Sequence, residues 1–241
     1  PHAHYHRSKS GGGSWEYKKK FKDSWTIEYK NLRFKVSPTG FKHTGLFPEQ
    51  AANWDFMMDK ISHADQDIRV LNLFAYTGGA TMACASAGAS EVVHVDASKG
   101  MVNWAKENMM LSHLQDRKIR FIVDDVLKFV QREKRRGRTY HAIIMDPPSY
   151  GRGPNGEVWK IEEQLYPLIS ACLEILDEDP LFFLVNSYTT GFPPTVLHNL
   201  LHATIARKHG NGYIEAGEIG LPITRSQTCL LYTSDAADDK A

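Results

Sequence analysis

Acidic residues close one apolar run after another in this chain, and a bare glycine turn closes the first. The run from Val70 to Tyr76 ends in Thr77-Gly78-Gly79, and Val92-Val93-His94-Val95 ends in Asp96. A third run ends in Asp124-Asp125, and a fourth in Asp146-Pro147-Pro148-Ser149-Tyr150. Glycine lets a backbone approach a ligand where a side chain would block it. Asp96 follows Gly78 by 18 residues. A nucleotide-binding βαβ unit places its ribose-gripping carboxylate at a spacing of roughly 20 residues. An acid after the third strand can receive an adenine amino group. The paired prolines keep their loop extended and deny the residue before them a helical path.

The elements that must position these residues alternate in type. Strands are expected over 68–74, 92–95, 119–123, 142–145, 181–185 and 213–219. Helices are expected over 79–88, 98–112, 125–135, about 160–177 and 193–209. Ser98 is suited to cap its helix, and the Asp124-Asp125 pair the next. Before them, Pro48 suits the first turn of a helix running to about His63. This order predicts an α/β fold: a Rossmann-like, doubly wound, mostly parallel sheet with a small N-terminal β-hairpin and helical appendage. Ligands belong at the carboxyl ends of its strands.

Residues 1–45 form a separate basic, aromatic-rich segment by composition. Ten cations from Arg7 to Lys42 face only Glu16, Asp23 and Glu28, and Trp15, Tyr17, Phe21, Trp25, Tyr29 and Phe34 are interleaved. Trp25–Tyr29 and Leu32–Val36 alternate like strands around a Lys30-Asn31 turn. Such a segment can follow a phosphate backbone and stack on unpaired bases. The plainer alternative is a solvated edge hairpin whose lysines oppose aggregation. A second basic run, Lys128, Arg132, Lys134, Arg135, Arg136 and Arg138, fits either phosphate contact or charges that favour a helix C-terminus.

The 241 residues, 42% hydrophobic and 24% charged with a net charge of +1, suit one large α/β domain and an appendage. No apolar stretch approaches the roughly 18 residues that cross a bilayer, so no membrane partner is expected. Three widely spaced cysteines, Cys84, Cys172 and Cys229, suggest neither disulfides nor a metal knuckle. A cytoplasmic setting and no metal site follow as expectations. His2, His4 and His6 near the start read as an exposed, truncated N-terminus rather than a metal site or tag. Cys229 to Asp238 reads like the conceptual translation of a sequencing adapter, which leaves 46–228 as the catalytic domain and 229–241 as foreign to the protein.

The chain resembles the class I S-adenosylmethionine-dependent methyltransferases, and more narrowly the bacterial large-subunit ribosomal RNA methyltransferase group. The resemblance rests on Leu71-Asn72-Leu73-Phe74-Ala75-Tyr76-Thr77-Gly78-Gly79, on Lys42 to Phe47 with Gln50, on Val95-Asp96-Ala97-Ser98 and on Met145-Asp146-Pro147-Pro148. It spans about 41–219. It implies S-adenosylmethionine as cofactor and RNA as substrate. Phe74, Tyr76, Thr77 and Gly78 would enclose the methionine part. Asp96 in its Asp96-Ala97-Ser98 turn would bind ribose, Asp124 or Asp125 with Val126 would hold adenine, and the Gln50 region would close over the cofactor.

Cytosine-C5 methylation needs a cysteine thiolate to attack the ring. Relatives with that activity carry Ser-Cys-Ser after the fifth strand, where this chain has Asn186-Ser187-Tyr188. Cys84 and Cys172 read as small buried hydrophobes. Methylation of a nitrogen needs only a group that orients the amine and a wall that stacks on the base. Asp146, Pro147, Pro148 and Tyr150 could supply these, although Ser149 separates the aromatic from the prolines. The alternatives are a methyltransferase of a small molecule or protein, a non-catalytic RNA-binding relative, and an NAD-dependent oxidoreductase. The last lacks the Gly-x-Gly-x-x-Gly spacing. The oligomeric state has no sequence signal.

Overall fold

A computed structural model describes residues 2–8, 12–40, 43–153, 155–210, 212–223 and, as backbone only, 229–231. In chain order the strands and helices are β1 (Ala3–Arg7), β2 (Gly13–Tyr17), β3 (Trp25–Tyr29), β4 (Leu32–Val36) and α1 (Ala51–Ser62). Then come β5 (Arg69–Leu73), α2 (Gly79–Ser86), β6 (Glu91–Asp96), α3 (Lys99–Leu111), β7 (Ile119–Val123), α4 (Val126–Arg135) and β8 (Ala142–Met145). A hairpin of β9 (Tyr150–Arg152) and β10 (Val158–Lys160) precedes α5 (Ile161–Leu173), β11 (Phe182–Val185) and α6 (Pro194–Leu201). Two short strands follow, β12 (Gly220–Pro222) and β13 (Cys229–Leu231).

The central sheet has the order β11-β8-β5-β6-β7, and every pairing in it is parallel. Its strands are apolar on both faces, as a sheet covered on both sides requires. Val70, Val92, Ala142 and Ile144 pack on one side against α1, α2 and the hairpin residues Leu32 and Phe34. Leu71, Leu73, Val93, Val95, Ile143 and Met145 point to the other side, against α4 and α5. The two-residue period of a strand makes that division. The expected α/β, Rossmann-like architecture is therefore the observed one.

The β3–β4 hairpin has the expected register, with Tyr29 opposite Leu32. It is not a loose edge. Leu32 and Phe34 are fully buried, which contributes roughly 1.5–3 kcal/mol each. The free edge of β4 is tied to α3: Arg33 N donates to Ser112 Oγ (2.9 Å), Lys35 N to Asn108 Oδ1 (2.8 Å), and Trp104 Nε1 to the Lys35 carbonyl (3.1 Å).

Some elements differ from expectation. Residues 213–219 form no strand, and Tyr213 is 82% exposed. The 193–209 helix ends at Leu201 and continues as a wider π turn over His202–Ala206. The β1–β2 and β9–β10 pairs were not foreseen, since neither carries a clear apolar alternation. The expectation for the C-terminal tail falls mainly outside the described residues, as does Lys42 of the motif segment. No described helix is long and apolar enough to cross a membrane.

Candidate active site

The turn after β5 is an unusual piece of backbone. Phe74 (φ 53°), Tyr76 (φ 50°) and Gly78 (φ 87°) are all left-handed. For the two aromatic residues this conformation is costly and persists only where the surroundings enforce it. Ala75 N donates to the Val95 carbonyl (3.0 Å) and Tyr76 N to Asp96 Oδ2 (2.8 Å). Thr77, almost wholly buried, donates from Oγ1 to the Gly45 carbonyl (2.5 Å) and accepts at its own carbonyl from Asn108 Nδ2 (2.8 Å). A Cβ on Gly78 would sit 3.0 Å from the Ala105 Cβ, so a side chain there would crowd α3.

Asp96 organises two turns. Its Oδ2 holds Tyr76 N, and its Oδ1 accepts from Ser98 N (2.8 Å). Burial raises its pKa, while those two N–H donors lower it. Ser98 caps α3 by accepting from Met101 N (3.4 Å), and Ala97 lies between them. At the next strand end, Asp124 N donates to the Asp96 carbonyl (3.1 Å) and its carboxylate pairs with Arg132. Asp125 caps α4 by accepting from Lys128 N (2.9 Å), and Val126 is buried behind it.

Between the β5 turn and the ends of β8 and β11 lies a cavity of about 60 Å³. Gln50, Phe74, Tyr76, Thr77, Asp146 and Asn186 all line it. Asn186 Nδ2 donates to Asp146 Oδ1 (2.9 Å). Burial pushes the Asp146 carboxyl up to about 6, with the Asn186 hydrogen bond opposing and the charge of Glu49 reinforcing the shift. Behind the cavity, Asn72 Nδ2 donates to Thr81 Oγ1 (3.0 Å), which bonds His94 Nδ1 (2.9 Å). Burial lowers His94 to about 3, so its ring is neutral at physiological pH.

A latch covers the opening. The Phe47 ring lies 5.8 Å from Tyr76 and 5.3 Å from Tyr188. The Tyr188 hydroxyl donates to Glu49 Oε1 (2.9 Å) and accepts from Gln50 Nε2 (2.9 Å). Glu49 is 3% exposed, and Tyr188 has its pKa raised by burial. The segment before α1 and the loop after β11 are thus fastened together over Asp146.

The Asp-Pro-Pro loop leads away from this cavity. Trp159 Nε1 donates to the Pro148 carbonyl (2.7 Å), and its ring stands edge-on to Phe74 at 4.7 Å. Tyr150 begins β9 and is 54% exposed. Pro147, Pro148 and Tyr150 do not line the cavity, nor do Gly78, Asp96, Ala97, Ser98, Asp124, Asp125 and Val126. Glu49, Asn186, Tyr188, Phe47 and Trp159 were not singled out from the sequence for the parts they play. Asn186 and Tyr188 drew notice only for the cysteine that is not between them.

Two further sequence readings have structural counterparts. Cys84 and Cys172 are fully buried, and burial raises both thiol pKa values, so neither supplies a thiolate. Most of the basic run on and just after α4 is used internally: Lys128 pairs with Glu157, Arg132 with Asp124, Lys134 with Glu174 (3.4 Å), and Arg136 and Arg138 with the buried Glu133, whereas Arg135 makes no ion pair with the described residues. Among the described residues no group of three or more metal-ligating side chains could hold an ion.

Comparison with known proteins agrees with this geometry. A model of the S-adenosylmethionine-dependent methyltransferase family matches residues 3–165. The ribosomal RNA large subunit methyltransferase K/L of Shewanella frigidimarina is 33% identical over 152 residues, which are 63% of this chain and 20% of that protein. The ribosomal RNA large subunit methyltransferase K of Neisseria meningitidis serogroup B is 28% identical over 178 residues, 73% of this chain and 49% of that one. The chain therefore spans no more than about half the length of these relatives. Among solved structures, the SAM-dependent methyltransferase from Agrobacterium tumefaciens superposes with a TM-score of 0.80 at 38% identity, over 88% of this chain and 66% of that chain. SMU.776, complexed with SAH, shares the fold with a TM-score of 0.72 at 21% identity, over 93% of this chain and 56% of that one.

Proposed function

The chain belongs to the S-adenosylmethionine-dependent methyltransferase family, and from that premise we propose that it methylates RNA, ribosomal RNA in the first instance, at a base nitrogen. The observation that carries this reading is Asp146, a half-buried carboxylate that opens on the same cavity as the strained Phe74–Thr77 turn and is aimed by Asn186. The cofactor supplies an electrophilic methyl group on a sulfonium. The residues present suit it. Each Asp96 oxygen accepts one backbone N–H and keeps a second acceptor direction for a ribose hydroxyl. Phe74, Tyr76, Thr77 and Gly78 would enclose the methionine part, with Asp96, Ala97 and Ser98 at the ribose. Asp124 or Asp125 with Val126 would meet the adenine, and Gln50 would close the site through its bond to Tyr188.

On the substrate side, Asp146 would accept a hydrogen bond from the amino or ring N–H of the target base, orient that nitrogen toward the methyl group, and take up its proton as the N–H bond gives way to the new N–C bond. Pro147, Pro148 and Tyr150 would form the wall on which an extruded base stacks. No attacking thiolate is needed, and neither Cys84 nor Cys172 can supply one. A cytoplasmic site of action fits this chemistry. The test is transfer of label from methyl-labelled S-adenosylmethionine to ribosomal RNA, followed by mass spectrometry of its nucleosides. An N-methylated nucleoside is expected. Label found only in protein or small molecules, or on cytosine C5, overturns the proposal.

A further inference from the structure

Outside the proposed active site, a second concavity lies in the basic N-terminal segment. It has a volume of about 440 Å³ and is walled by Trp15, Phe21 and Trp25, with Lys22, Pro38 and Thr44 at its margins. That volume falls within the ~300–1,000 Å³ of small-molecule sites. We infer that this pocket receives an unpaired base of single-stranded RNA next to the nucleotide being methylated, an inference that rests on the RNA reading above.

Three observations carry it. The walls are flat rings held in place beforehand. Trp15 Nε1 donates to the Thr39 carbonyl (2.7 Å), the Tyr5 ring stands edge-on to Trp15 at 5.2 Å, and Phe21 meets Trp25 edge-on at 5.8 Å. Rings of this kind stack on any base, since every base has a π face. The surround is positive. Lys18, Lys19, Lys20 and Lys22 are exposed and make no ion pair with the described residues, unlike Lys128, Arg132 and Lys134 of α4. They are placed for a phosphate backbone, which favours a nucleic acid over an apolar peptide or a lipid chain.

The pocket is also joined to the active-site cavity. Thr44 borders the first, Leu46 and Phe47 line the second, and between them the Gly45 carbonyl is bonded to Thr77. One short stretch therefore touches both. A strand whose flanking base sits among the tryptophans can present its neighbour to the cavity.

The experiment measures binding of a fluorescent single-stranded RNA oligomer, and of SAH, to the wild type and to Trp25→Ala, Trp25→Phe and the triple variant Lys19→Ala/Lys20→Ala/Lys22→Ala. Trp25→Ala should bind the oligomer at least about 5-fold more weakly, the low end for loss of one stacked base. Trp25→Phe should recover most of it, and the lysine variant should lower the slope of log affinity against log salt. SAH affinity should stay at the wild-type value in all three, which also shows that they fold. Oligomer binding unchanged in Trp25→Ala, or tighter binding to duplex than to single strand, overturns the inference. If the oligomer binds through Trp25 but no RNA is methylated, the proposed reaction fails and this site stands.

Discussion

At the scale of single residues, Asp146 and Asp96 do different work although both are acids at strand ends. Asp146 has its carboxyl pushed up to about 6, so the fold favours its protonated form. That contribution to stability is complete below the ordinary carboxylate range near 4 and is lost as pH rises through 6. Activity runs the other way, because in the proposed reaction the ionised group is the acceptor. Turnover should therefore fall as pH drops through about 6. Asp146→Asn should raise the melting temperature at pH 7 and leave it unchanged near pH 4, while turnover drops by roughly 100-fold or more. Paired thermal scans and a pH–rate profile check this. Asp96→Ala should weaken SAH binding by roughly 1.5–3 kcal/mol in calorimetric titration. An unchanged affinity would place the cofactor elsewhere. Residue types at strand ends were legible in the sequence. Their partners were not: Gln50 and Tyr188 are 138 positions apart, and no local pattern announces that they touch.

At the scale of elements, α3 is the brace between the N-terminal hairpin and the β5 turn. Asn108 is fully buried, accepts Lys35 N from β4 and donates to the Thr77 carbonyl. Asn108→Ala leaves two buried backbone groups without partners, at about 1–3 kcal/mol each. The melting temperature should fall, and SAH affinity with it, because the turn loses one of its supports; loss of stability with SAH affinity intact would make Asn108 a packing residue alone. The sequence reading placed α3 within a residue of its ends, as Ser98 and the apolar spacing predict. It had no means of seeing the brace, since polar side chains on a helix read as solvent-facing until a strand is laid beside them.

At the scale of the whole molecule, charge is unevenly deployed. The net charge is only +1, and most cations on and just after α4 are absorbed by Glu133, Glu157, Glu174 and Asp124. The lysines around the N-terminal pocket remain for a polyanion. A ligand that binds only the folded chain stabilises it as a unit, by about 2.7 kcal/mol at 100 times its Kd. SAH at that excess should shift the melting temperature by about 5–10 °C in a chain of this size. NAD should give no shift. A shift with NAD alone would revive the oxidoreductase alternative.

The sequence by itself determined the parallel sheet and the edge where ligands meet it. Apolar runs of strand length alternating with amphipathic helices admit few other folds, and parallel strands bring all their carboxyl ends to one side. That places Gly78, Asp96, Asp124 and Asp146 together without any coordinates. Only the tertiary structure decided which of those acids holds the β5 turn, which is spent on an arginine, which faces the cavity, and which loops close above them. Burial and pairing are properties of segments far apart in the chain, and they exist only once the segments have packed.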